Sequence, residues 1–156
     1  MAARILVVDD HEIVRKGICK LLEESGRGWE ICGEADSGVT AVAAATTLRP
    51  DLIVLDVSMP VMSGLEAASR LARLGLSSRI LLFTMHDSKM LSSEAQQVGA
   101  HGYVLKSQAA RHLILAIERL LAGGTFFGSP ETEAEPGKSA PPQRGGLFCL
   151  DFSFSD

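Results

Sequence analysis

Short, almost purely apolar runs set between longer helical patterns constrain this chain more than anything else in it. Ile5-Leu6-Val7-Val8 follows Arg4 and leads into Asp9-Asp10, and Leu52-Ile53-Val54-Leu55 follows Asp51 and leads into Asp56. Unbroken runs of branched aliphatics read as strands buried on both faces of a parallel sheet. In such sheets the carboxyl ends of the strands form the ligand crevice. Two strands therefore carry three carboxylates to one rim, and like charges gathered there call for a cation.

The alternation runs to about residue 123. Val14, Ile18, Leu21 and Leu22 share one helical face, and Gly26 and Gly28 break the chain before a second strand over 29–35. Val39, Val42 and Thr46 mark a small, Ala-rich helix that stops at Pro50. Past Asp56, a loop with Pro60 and Gly64 precedes a helix with Leu65, Ala68, Leu71 and Ala72 inward. A fourth strand follows over 80–84, then a helix spaced by Leu91, Ala95 and Val98 and ended by Gly99. A fifth strand over 102–106 and a helix lined by Leu113, Ile117, Leu120 and Leu121 complete the pattern. Strict βα alternation predicts a doubly wound α/β fold with a five-stranded parallel sheet and right-handed crossovers.

Composition narrows the function. The 156 residues are 46% apolar and 22% charged, with a formal net charge of −4. That composition is ordinary for a globular domain and too apolar for a disordered chain. An acidic chain without a Lys/Arg stripe is a poor candidate for gripping nucleic acid through its phosphates. No apolar stretch approaches the roughly 18 residues that span a bilayer. The early acids Asp9-Asp10 argue against a signal peptide. Cys19, Cys32 and Cys149 have no metal or redox spacing and read as reduced thiols of a cytoplasmic protein.

The acidic rim suggests a chemistry. Mg²⁺ takes oxygen ligands in an octahedron, commonly one or two carboxylates plus water and substrate phosphate. A carboxylate with a free oxygen can attack a phosphoryl group and become an aspartyl phosphate. Phosphoryl transfer then asks mainly for positioning and for neutralisation of the equatorial oxygens. Asp56 as nucleophile, Asp9 and Asp10 around the metal, and Lys106 and Thr84 on the phosphoryl oxygens meet those needs. Asp9 or Asp10 alone could simply cap a helix; the matching strand ends at Asp56 and Lys106 favour a site. His11, His86, His101 and His112 lack ligand spacing and read as solvated, with His86 two residues beyond Thr84 and able to face the pocket. Met59, Met62 and Met85 read as loop packing.

The blocks Val7-Val8-Asp9-Asp10-His11, Leu55-Asp56-Val57-Ser58-Met59-Pro60, Ser63-Gly64-Leu65-Glu66-Ala67, Phe83-Thr84-Met85-His86 and Gly102-Tyr103-Val104-Leu105-Lys106 resemble, in order, those of a two-component response regulator receiver domain. The resemblance is to the NarL/FixJ-type branch and covers residue 4 to about 123. It implies the (βα)5 flavodoxin-like fold with strand order 2-1-3-4-5. It also implies Asp56 as phosphoacceptor, Mg²⁺ held by Asp9, Asp10, Asp56 and the backbone carbonyl of Ser58, and Lys106 as the phosphate partner. Thr84 would be the switch hydroxyl and Tyr103 the aromatic that turns inward. The implied function is a phosphorelay switch, a signalling protein and not an enzyme. A sensor histidine kinase would be its donor, and a downstream protein or a homodimer its output. Ser107 stands where many members have proline, and Met85 where a small residue is usual.

The chain is expected to divide into a receiver domain over 1–127 and, by composition, a Pro/Gly-rich linker with a mobile tail over 128–156. Within that tail Phe148, Leu150, Phe152 and Phe154 alternate with Cys149, Asp151, Ser153 and Ser155, a strand-like period. Relatives in this branch commonly continue into a helix-turn-helix. The residues after Phe127 are too few and too rich in Pro and Gly for that module, so direct DNA binding by this chain is not expected. Two rivals stand beside the switch. A phosphorylation-independent interaction module would be expected to lose Asp56 or Lys106. A haloacid dehalogenase-type phosphatase would carry Asp-x-Asp on its first strand, which Asp9-Asp10-His11 does not match.

Overall fold

A computed structural model of the chain describes residues 2–85 and 90–127. Its elements alternate as β1 (Arg4–Val8), α1 (Glu12–Glu24), β2 (Glu30–Ala35), α2 (Gly38–Leu48), β3 (Leu52–Asp56), α3 (Gly64–Arg73), β4 (Arg79–Thr84), α4 (Leu91–Gln97), β5 (Gly102–Leu105) and α5 (Ala109–Leu121). All neighbouring strands are parallel, in the order β2-β1-β3-β4-β5. This is the doubly wound, five-stranded sheet with strand order 2-1-3-4-5 that the sequence leads one to expect.

Period two along each strand splits the core into two layers. Leu6, Val8, Ile53, Leu55, Ile80 and Leu82 face α2, α3 and α4, while Ile5, Val7, Leu52, Val54, Leu81 and Phe83 face α1 and α5. Every residue of β3 is buried. Each fully buried Leu or Ile contributes about 1.5–3 kcal/mol by leaving water, so a one-residue slip of β3 would reverse both faces at once.

Helix starts follow local chemistry. Ser37 and Thr40 form a reciprocal capping box on α2, and Ser63 accepts from the Glu66 amide to open α3. Gly64 begins α3 because a Cβ there would run into the backbone of Asp56 and Val57. That close approach seats the helix directly beneath the end of β3, with the Gly64 amide donating to the Val57 carbonyl at 2.8 Å.

Several boundaries and faces differ from expectation. β2 begins at Glu30, with Trp29 half-buried beside the core, and β4 begins one residue early at Arg79. In α2 the buried positions are Gly38, Ala41 and Ala45, while Val39 and Thr46 lie exposed. In α3 Ala67 turns inward and Ala72 outward. Alanine suits either environment, so an Ala-rich stretch gives little sign of which face meets the sheet. β5 ends at Leu105, and Lys106 opens a 3-10 turn.

Beyond α5 the chain turns at Gly123 and returns to the outer edge of β5. Tyr103 donates its amide to the Phe126 carbonyl at 2.8 Å, and the Phe126 amide donates to His101 at 3.1 Å. Phe126 is buried, and it seals the α1/α5 layer. The linker and tail over 128–156, Cys149 and His86 lie outside the described residues.

Candidate functional site

The carboxyl ends of β1, β3, β4 and β5 meet at one rim of the sheet. Asp9 follows β1 directly and is fully buried, and its amide donates to the Ala35 carbonyl of β2 at 3.1 Å. Its Oδ1 accepts from the His11 amide at 2.8 Å, which steadies the turn into α1, whose N-cap is His11. Asp9 thus supports a helix start as well as the pocket. Asp56 ends β3 at 1% exposure, registered opposite Phe83, and its Oδ1 accepts from the Ser58 amide at 3.3 Å. Thr84 ends β4, is buried, and pairs with Leu105.

Lys106 enters just past β5. Its Nζ lies 3.0 Å from Asp56 Oδ1 and 2.9 Å from Asp9 Oδ2, and 5.7 Å from the centre of the Phe83 ring. The contact with Asp9 was not anticipated; one ammonium bridges two of the three acids. Asp10 keeps about a quarter of its side chain exposed, and His11 Nδ1 lies 3.1 Å from its Oδ1 and 3.4 Å from Asp9 Oδ1. His11, expected to be simply solvated, is exposed but rests on the acidic turn. Donor atoms of Asp9, Asp10, His11 and Asp56 all lie within 4.8 Å of one another.

The electrostatics follow from that crowding. Burial raises the proton affinity of Asp56; Lys106 opposes the rise by hydrogen bonding, and the Asp9 carboxylate adds to it. Burial alone would lower the proton affinity of Lys106, but hydrogen bonds and charges from Asp9 and Asp56 outweigh it and raise it above the ordinary lysine value. Two unit charges about 4 Å apart repel by roughly 4 kcal/mol at an effective dielectric near 20. One ammonium does not neutralise three carboxylates, and Asp56 Oδ2 is buried without a hydrogen-bond partner among the described residues. An oxygen-rich, net-negative pocket with an uncommitted carboxylate oxygen fits a hard divalent cation.

The remaining candidates sit around this centre. Tyr103 is already buried, its ring 6.5 Å from that of Phe127. Met59 and Met62 are buried against the α2/α3 layer, whereas Met85 is exposed. Val61, in the loop between Asp56 and α3, is fully exposed with a left-handed φ of 69°. Cys19 is buried and Cys32 half-buried, both free. Arg15 of α1 reaches the backbone of Asp9 and the carboxylate of Glu34, a pairing that no local spacing in the sequence signals.

Residues 5–118 match the model of the response regulator receiver domain. The response regulator UvrY of Escherichia coli (strain K12) is 35% identical over 144 residues, 88% of this chain and 66% of UvrY. The chain thus spans slightly less than two thirds of that relative's length. Among solved structures, a LuxR-family two-component response regulator from Aurantimonas sp. SI85-9A1 superposes with a TM-score of 0.78 at 38% identity, covering 83% of this chain and 91% of that one. The isolated REC domain of RcsB from Salmonella enterica serovar Typhimurium, in the presence of phosphomimetic BeF3-, gives 0.74 at 26% identity, covering 83% and 95%. With its order of strands, its acidic rim and these likenesses together, the chain belongs to the response regulator receiver domain family.

Proposed function

We propose that this chain is a phosphorylation-gated switch in a two-component phosphorelay, charged on Asp56 by a sensor histidine kinase in the cytoplasm. The observation that carries the reading is the buried Asp56 carboxylate, with Oδ1 held by Lys106 at 3.0 Å and Oδ2 uncommitted among the described residues. Oδ2 attacks phosphorus; the bond from phosphorus to the donor histidine nitrogen breaks, and the imidazole leaves with the electron pair and takes up a proton. When bound, Mg²⁺ supplies positive charge to the phosphoryl and carboxylate oxygens. Asp9, Asp10, Asp56 and the Ser58 carbonyl would hold it. Lys106 gives its ammonium to a phosphoryl oxygen, and the Thr84 hydroxyl and backbone amides take the others.

The phosphoryl group also biases conformation. Thr84 drawn toward it opens space beside β4 and favours the buried setting of Tyr103. The switch is then a shift of population toward an arrangement the chain already visits, since a ligand can move an equilibrium only by binding one state better. Output runs through a downstream protein or a second copy of the chain. The BeF3- present with the RcsB REC domain agrees with this use of the shared fold.

Phosphate-affinity electrophoresis after incubation with acetyl phosphate tests the reading. A retarded band that needs Mg²⁺, disappears with EDTA and is absent in Asp56→Asn is expected. No retardation under any condition would mark a phosphorylation-independent module, and turnover of unrelated phosphate esters a phosphatase; either result overturns the proposal.

A further inference from the structure

We propose that Arg15 is a positioning residue for the acidic pocket, clamping the peptide that joins Asp9 to Asp10 and so aiming both carboxylates. The inference rests on the reading of that pocket as a cation and phosphoryl site. Arg15 lies in the first half of α1 with its side chain 15% exposed. Its Nη1 donates to the backbone carbonyl of Asp9 at 2.8 Å, and its Nε pairs with Glu34 Oε1 at 3.0 Å. Glu34 sits on β2 immediately before Ala35, whose carbonyl accepts the Asp9 amide. Asp9 is therefore tied to β2 from both of its peptide groups, once directly and once through the guanidinium.

The pinned carbonyl belongs to the peptide plane shared by the two acids. A peptide is planar, so fixing the direction of its C=O restrains ψ of Asp9 and places the N and Cα of Asp10 together. The Asp10 side chain then departs from a held point on its way to a cation. Glu34 has the complementary task. A guanidinium loose beside three carboxylates would pair with one of them and compete with the metal. Glu34 prevents this by holding Nε, and the Arg15 hydrogen bond in turn keeps the Glu34 carboxyl below its ordinary range despite partial burial, with Lys16 assisting at 3.5 Å. The arrangement needs two donors in a rigid fork, which lysine lacks. Loss of partners that orient the ligands of a metal commonly weakens affinity by about 10- to 100-fold.

Calorimetric titration of the full chain with Mg²⁺ tests this, alongside thermal unfolding in EDTA. Arg15→Met and Arg15→Lys are expected to raise the Mg²⁺ dissociation constant by about 10- to 100-fold, and Glu34→Gln to raise it less. Arg27→Ala, which breaks the 2.7 Å pair with Glu118 far along the fold, should leave it unchanged. A merely structural role would lower the unfolding midpoint in EDTA yet leave the affinity of the folded protein alone. Wild-type affinity in Arg15→Lys or in Glu34→Gln would overturn the inference while the pocket stands. Failure of the wild type to bind Mg²⁺, or equal binding by Asp10→Asn, would instead bring down the pocket reading itself.

Discussion

At the amino ends of the strands, several polar groups are spent on one another. Arg4 donates its amide to Asp51 Oδ2 at 2.8 Å and its guanidinium to the Leu48 and Arg49 carbonyls that end α2. Ser78 donates to the Pro50 carbonyl at 2.6 Å, and the Ile80 amide to Nδ1 of His101 at 2.9 Å. At the carboxyl ends of the same strands, three acids crowd round one ammonium that reaches two of them, and a buried carboxylate oxygen lacks a partner among the described residues. Val61, in the adjoining loop, holds a backbone conformation that branched side chains resist. One end of the sheet lowers the free energy of the fold, and the other holds unbalanced charge ready for a ligand. Stability and reactivity are separated by the length of a strand.

The comparison is sharpest where the charge is most exposed to loss. Lys106→Ala leaves Asp9 and Asp56 buried and facing each other, and unfolding in urea without Mg²⁺ should show a loss of about 3 kcal/mol, as when one partner of a buried pair is removed. A change within experimental error would mean that the ammonium does not hold the two acids together. Next, Mg²⁺ at ten times its dissociation constant should raise wild-type stability by about 1.4 kcal/mol through binding linkage, and Asp56→Asn should lose much of that gain.

Asp10→Asn relieves repulsion without removing packing. In EDTA it should stabilise by about 1 kcal/mol, a rise of roughly 3–5 °C in Tm for a domain of this size, while phosphorylation is lost. An unchanged or lower Tm would show that the acids do not share a pocket. Val61→Gly should give a similar gain of about 1 kcal/mol by releasing a left-handed residue that packs on nothing.

The opposite end predicts the smallest effect, and one driven by pH. Burial, and then the charge of Arg79, lowers the proton affinity of His101, whose Nδ1 must be bare to accept from Ile80. As pH falls the unfolded chain takes up that proton first. The contribution is thus complete above about 6.5 and declines below it. Urea titrations between pH 5 and 7 should show a shallower acid loss in His101→Asn than in the wild type.

The two ends were unequally legible in the sequence. β1, β3 and β4 are buried on both faces, so continuous aliphatic runs admit few other readings, and the acids that end them stand out. Asp9, Asp56 and Lys106 could be placed together because parallel strands bring their ends to one rim. Lys106 reaching Asp9 as well as Asp56 could not, since only the depth of the pocket decides how far an ammonium extends. Helix faces were read poorly where alanine dominates: Ala41 and Ala45 face the core, and Val39 does not. The Arg15–Glu34 clamp and the return of Phe126 to β5 depend on pairings between distant segments, which local periodicity does not encode.

The most direct measurement is titration with beryllofluoride, a phosphoryl mimic, followed by backbone amide NMR in the presence of Mg²⁺. Saturable one-to-one binding, with shifts gathered at Asp9, Asp56, Ser58, Thr84 and Lys106 and abolished in Asp56→Asn, is the predicted result. Spectra that stay unchanged, or that shift equally in Asp56→Asn, would contradict it.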